Sequence, residues 1–128
     1  MKKIVVIILL LTCISAICYK YMYKVHRDIK SETANYNLSI ANLESEFAKN
    51  QSVAMAKYQD KIIQISDTIN ALDIKNKSMT FAKKIAAIFD TDLPNDFAIG
   101  KKVTIKGRFL GYDELLDEYK IDQCSVVN

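Results

Sequence analysis

Residues 100–112 read Gly-Lys-Lys-Val-Thr-Ile-Lys-Gly-Arg-Phe-Leu-Gly-Tyr, and this stretch decides the fold. Val103, Ile105 and Phe109 fall on one parity, while Thr104, Lys106, Arg108, Leu110 and Tyr112 fall on the other, the period-two alternation of a strand with one buried face. Gly107 and Gly111 lie on the inner parity, where a missing side chain lets a strand bend sharply, as barrel corners require. Upstream, Asp90 to Asp96 is an acidic loop that holds the only proline. Before it, Met79–Ala82 and Ile85–Phe89 read as two strands around a turn at Lys83-Lys84, and Asp73–Lys77 as a loop. From Lys61, Ile63 and Ile65 alternate with Gln64 and Ser66. A break is expected at Asp67, followed by Ile69 and Leu72. Downstream, Asp113–Glu118 is a polar excursion expected to form a helical turn, and Tyr119–Val126 is the last strand. Five short strands with bends suit a small curled antiparallel barrel.

The OB-fold is the commonest such barrel. Ahead of it, Ser39 can cap a helix running to Lys49, in which Ile40, Leu43 and Phe47 form one apolar stripe. A second short helix is expected over Val53–Tyr58. The chain also resembles the tRNA-anti-like family, small bacterial exported or membrane-attached proteins with an OB-fold domain. Ala56-Lys-Tyr58-Gln-Asp-Lys61, within Asn50–Ile65, is similar to that family's Ala-x-Tyr-x-x-Lys lead into the first strand. Gly100-Lys-Lys-Val-Thr-Ile-Lys-Gly107 resembles its Gly-x-x-Val-x-Ile-x-Gly fourth strand, and Asp122-Gln123-Cys124 its cysteine-bearing end. The resemblance covers residues 36–127 and implies a fold without a catalytic motif. Ser66-Asp67 departs from it, since the family usually has a glycine there.

Ile4 to Cys18 is an uninterrupted run of apolar or small residues behind Lys2 and Lys3. It reaches membrane-spanning length if Tyr19, Tyr21 and Tyr23 form an interfacial belt and Lys20 extends its amine to the headgroups. An uncleaved anchor over residues 1–23 is the reading that fits. A cleaved signal ending near Ile14-Ser15-Ala16 and a lipid-modified cysteine are the alternatives. Residues 24–37 read as a tether and 38–127 as the domain, with 39–58 its helical preamble. The fold class is mainly β with α: a transmembrane helix, short helices and a five-stranded OB-fold barrel. A single-pass cell-membrane protein with an extracytoplasmic domain is expected.

Charge divides unevenly. The net +3 comprises +5 over residues 1–27, which contain no acid, leaving 13 positive and 15 negative side chains beyond. A slightly acidic domain disfavours nucleic acid, whose affinity rests mostly on phosphate neutralisation. Neither a catalytic motif, a glycine-rich phosphate loop nor paired cysteines are present, and His26 is the sole histidine. No enzyme activity, cofactor or metal site is expected. The acidic loop lacks the glycine and the bidentate glutamate of a calcium loop. Cys124, alone in the domain, reads as a small buried hydrophobe.

OB-folds bind across their second and third strands and the flanking loops. Outward positions there are Thr80, Ala82, Ala86 and Ile88, without aromatic or charge. Lys75 and Lys77 in the first loop, with Lys106, Arg108 and Tyr112 on the fourth strand, are candidate ligand contacts along an edge. A protein or peptide partner is the expectation, with nucleic acid or another anionic polymer as the alternative. A structural accessory subunit of a membrane complex is a third reading.

Overall fold

A computed structural model describes residues 1–23 and 28–127. Residues 24–27 of the expected tether, His26 among them, lie outside the described residues. The elements are α1 (Lys2–Met22), β1 (Tyr36–Leu38), α2 (Ile40–Lys49), α3 (Gln51–Tyr58), β2 (Ile62–Asp73), β3 (Ser78–Phe81), β4 (Ile85–Phe89), β5 (Lys102–Asp113) and β6 (Glu118–Val126). Strands β2-β3-β4-β6-β5 close on themselves through β2–β5 pairing. Only the β4–β6 contact within this ring is parallel. This is the five-stranded Greek-key barrel of an OB-fold.

Closure rests on β2 changing partners. Ile62–Thr68 pairs antiparallel with β5, whereas Ile69–Asp73 pairs antiparallel with β3. The expected break at Asp67 is absent: Asp67 stays in the ladder opposite Val103, and its own carboxylate accepts from the Thr68 N–H at 2.6 Å. The irregularity falls instead between Ile69 and Ala71, where Asn70 is the extra residue of a bulge. Its Oδ1 accepts from the Lys83 N–H at 3.2 Å, so the bulge is tied to the β3–β4 turn.

Two other sequence expectations change. Residues 114–117 form a turn and not a helix, because the Asp113 carboxylate accepts from the N–H groups of Leu115 and Leu116 at 3.0 and 3.3 Å. The tether, moreover, does not extend to residue 37. Tyr36–Leu38 is a strand, parallel to Ile63–Ile65. Since β5 occupies the other edge of those residues, β1 shares an edge of β2 with β3. Asn35 fixes its approach, donating to the Ile62 carbonyl at 2.7 Å and accepting from the Ile62 N–H at 2.9 Å. Ile29 is only 2% exposed.

Helices α2 and α3 meet at Asn50, the C-cap of one and N-cap of the next, whose side chain accepts from the Val53 N–H at 3.1 Å. Ser39 caps α2 as the sequence predicts, accepting from the Asn42 N–H at 3.2 Å. The apolar stripe Ile40, Leu43 and Phe47, with Ala54 and Tyr58, enters the barrel core. Phe47 lies 5.1 Å from the Tyr119 ring and 5.8 Å from Phe109, centroid to centroid. Such pairs add about 0.5–1.5 kcal/mol each beyond their burial. Lys57 pairs with Glu46 at 2.9 Å and stands 4.8 Å over the Tyr58 ring, joining the two helices.

Gly107 is the tightest point of the barrel wall. A Cβ there would stand 2.6 Å from Ile121 Cγ2, 2.7 Å from Cys124 Sγ and 2.8 Å from the Asp122 carbonyl oxygen. The last is backbone and cannot rotate away. Gly107→Ala is therefore expected to destabilise the domain by about 1–3 kcal/mol, read as a lower urea midpoint at an unchanged slope.

Candidate binding surfaces of the barrel

The outer face of β3 and β4 sets Ser78 beside Ile88 and Thr80 beside Ala86. Ile88 is 43% exposed and dominates a surface of small residues. Loops flank this face at both ends. The β2–β3 loop carries exposed Ile74 with Lys75 and Lys77, and Lys77 pairs with Asp92 at 3.0 Å. At the other end the β5–β6 turn projects Leu115, which is 97% exposed, and Leu116. Lys84, in the β3–β4 turn, holds this second turn through Asp117 at 3.0 Å and reaches Glu44 of α2 at 3.4 Å.

The five candidate contacts do not converge. Lys75 and Lys77 flank the β3–β4 face, whereas Lys106, Arg108 and Tyr112 stand on β5, separated from β4 by β6. Lys75 has no ion pair among the described residues. Lys106 donates to the Glu32 carbonyl at 2.6 Å. Arg108 makes a two-point contact with Asp122, Nε to Oδ1 at 2.9 Å and Nη2 to Oδ2 at 2.6 Å, and this bond raises the guanidinium pKa further. Tyr112 was expected on the outer parity with Arg108. A register shift between Phe109 and Gly111 moves it into contact with the core, 4.9 Å from the Tyr119 ring. Its hydroxyl donates to Asp117 at 2.5 Å, which raises its pKa. Hydropathy alternation misses the exposed Leu115-Leu116 pair, whose sequence signal is two adjacent leucines inside an acidic turn.

A second concavity lies at the barrel end occupied by residues 28–30 and the 90–101 loop. This open cleft has a volume of about 900 Å³. Ile29, Phe89, Phe97, Val103 and Val126 supply apolar lining. Cys124 also lines it but is buried, and burial pushes its thiol pKa up. Among the described residues, no group of three His, Cys, Asp or Glu is arranged to hold a metal ion.

Helix α1 spans 21 residues, long and apolar enough to cross a membrane, and none of it is buried. Export signals share that length and composition. Tyr19 and Tyr23 stack at 4.4 Å near its C-terminal end, with Lys20 in the last turn and Tyr21 exposed.

Ring order and bulged strands, behind a helix of membrane length, define an OB-fold protein with an N-terminal apolar segment. More narrowly, the chain belongs to the tRNA_anti-like family, whose pattern matches residues 1–119 and so takes in α1. A solved structure is similar in fold: a lipoprotein from Klebsiella pneumoniae subsp. pneumoniae, provisionally described as nucleic acid-binding. It matches with a TM-score of 0.51 and 18% identity over 72% of this chain and 91% of that one. No curated protein matches the chain.

Lys120 holds the Asp113 carboxyl below its ordinary value, and Tyr112 with Lys84 does the same for Asp117. Depressed carboxylates stabilise the fold above the ordinary aspartate range and cease to do so as pH falls through their folded values. The urea midpoint should therefore drop below about pH 4, and Asp113→Asn with Asp117→Asn should flatten that drop. In a Cys13→Ser, Cys18→Ser background, Cys124 should resist a thiol reagent until denaturant unfolds the barrel.

Proposed function

We propose that this protein is a membrane-anchored, non-catalytic binding module of the bacterial envelope, which recognises a protein or peptide across the outer face of β3 and β4. The observation that carries this reading is the chemistry of that face. Thr80, Ala86 and Ile88 offer no stacking ring and no charge, and the flanking loops add Ile74, Leu115 and Leu116. Apolar side chains of a peptide suit such a surface, whereas single strands of nucleic acid need aromatic platforms and a basic groove. Lys77, Lys106 and Arg108 already have partners within the chain. A membrane-length helix in a chain of this family supports the anchor, and an extracytoplasmic domain suits the family's exported members.

A nucleic-acid reading is favoured by one observation, the description given to the Klebsiella lipoprotein. The full chain in detergent, offered a displayed-peptide library and a labelled oligonucleotide, separates the two. Peptide binding should weaken at least about tenfold, roughly 1.4 kcal/mol, in Ile88→Glu and Ala86→Glu variants of unchanged fold. No oligonucleotide retardation is expected at low salt. Salt-dependent oligonucleotide binding that Lys75→Glu abolishes and Ile88→Glu leaves intact would establish the second reading instead.

A further inference from the structure

The cleft at the opposite end of the barrel from the β5–β6 turn is lined by the residues that follow the membrane segment. Asp28, Ile29 and Lys30 all border it. Five chain steps separate Tyr23 from Asp28, so this wall stands within about 18 Å of the end of α1. If α1 spans the bilayer as proposed above, Tyr19, Lys20 and Tyr21 lie at the headgroups, and the cleft lies beside them.

Its charges are mixed. Asp96 pairs with Lys101 and Asp92 with Lys77. That leaves Lys30 and Lys102 as cations, with Asp28 and Asp90 as carboxylates, none in an ion pair among the described residues. The Asp28 carboxylate accepts a long contact from the Ser31 N–H at 3.4 Å, and Asp90 acts on Arg108 from a distance. Two cations and two anions around an apolar floor complement a ligand that itself carries both signs beside hydrocarbon. A volume near 900 Å³ is within the range of small-molecule sites.

We infer that this cleft receives the phosphoethanolamine headgroup of a membrane phospholipid and so seats the barrel on the bilayer. Lys30 and Lys102 face the phosphate, Asp28 and Asp90 accept from the ammonium, and half-buried Phe97 meets the glycerol and upper acyl chain. The inference rests on the anchored reading of α1.

Because the chain contains no tryptophan, single substitutions give unambiguous fluorescence reporters in the full chain. Phe97→Trp marks the cleft, Tyr21→Trp marks α1, and Val53→Trp marks exposed α3. Each variant is placed in bilayers containing phosphatidylethanolamine with an acyl-chain nitroxide near the glycerol. Phe97→Trp fluorescence should be quenched several-fold more than that of Val53→Trp. Adding Lys30→Glu and Lys102→Glu, or replacing the lipid with equally labelled phosphatidylcholine, which has no ammonium N–H, should return it towards the Val53→Trp level. Quenching of Tyr21→Trp without excess quenching of Phe97→Trp would overturn the headgroup site and leave the anchor standing. No quenching of Tyr21→Trp would overturn both. Quenching of Phe97→Trp that ignores both charge reversal and headgroup identity would reduce the cleft to a bystander near the membrane.

Discussion

The barrel exists because one strand serves two neighbours in succession. β2 gives its first half to β5 and its second to β3, and the bulge at Asn70 marks the change. Without that bend, β3 and β5 would present unpaired edges, the usual starting point for strand addition between chains. β6 meets the converse demand. It must pair parallel with β4 and antiparallel with β5, and a bulge around Gln123, whose φ is +49°, adjusts its register to both. Gly107 faces that bulge with no side chain, which lets the strands approach. The corner is therefore built from three coupled features: a bulge, a missing Cβ and a buried cysteine.

Helices α2 and α3 complete what the strands leave open. Phe47 and Tyr58 join Phe109 and Tyr119 in one aromatic cluster, so the helical preamble belongs to the core. Lys84 then connects α2, the β3–β4 turn and the β5–β6 turn through Glu44 and Asp117. One end of the β3–β4 face is thus held to the helices. The other is held by Lys77 and Asp92 to the loop that borders the cleft. The two candidate surfaces stand on one frame but differ in chemistry, one small and apolar, the other apolar with charges of both signs.

The barrel was legible wherever a strand keeps one face buried. Val103, Ile105 and Phe109 announce β5, and Ile63 and Ile65 announce the first half of β2. β1 was not legible, because three residues carry no periodicity and Tyr36–Leu38 becomes a strand only when β2 offers an edge. Tyr112 followed the alternation of its neighbours in sequence, but a bulge reverses the alternation at the point where Gly111 stands. The glycine signalled a bend without telling which way the next side chain turns. The candidate cations look available in the sequence because their acceptors are remote along the chain. Glu32 lies 74 residues from Lys106 and Asp122 lies 14 from Arg108. Composition counts charges, and only the fold shows that Lys106 is engaged by a carbonyl and Arg108 neutralised by a carboxylate.

The parallel β4–β6 contact has a consequence for how the chain is made. β6 is the last strand in order, yet it stands between β4 and β5 and completes the ring. Until residues 118–126 have emerged, β4 lacks a neighbour and Phe109 lacks one wall of its enclosure. During synthesis the apolar α1 segment emerges well before the closing strand, so the polypeptide between them must wait as an open chain. Long-range closure of this kind is slow and leaves apolar strands transiently uncovered. The interval between the emergence of α1 and that of β6 is when the apolar faces of the barrel strands are least covered.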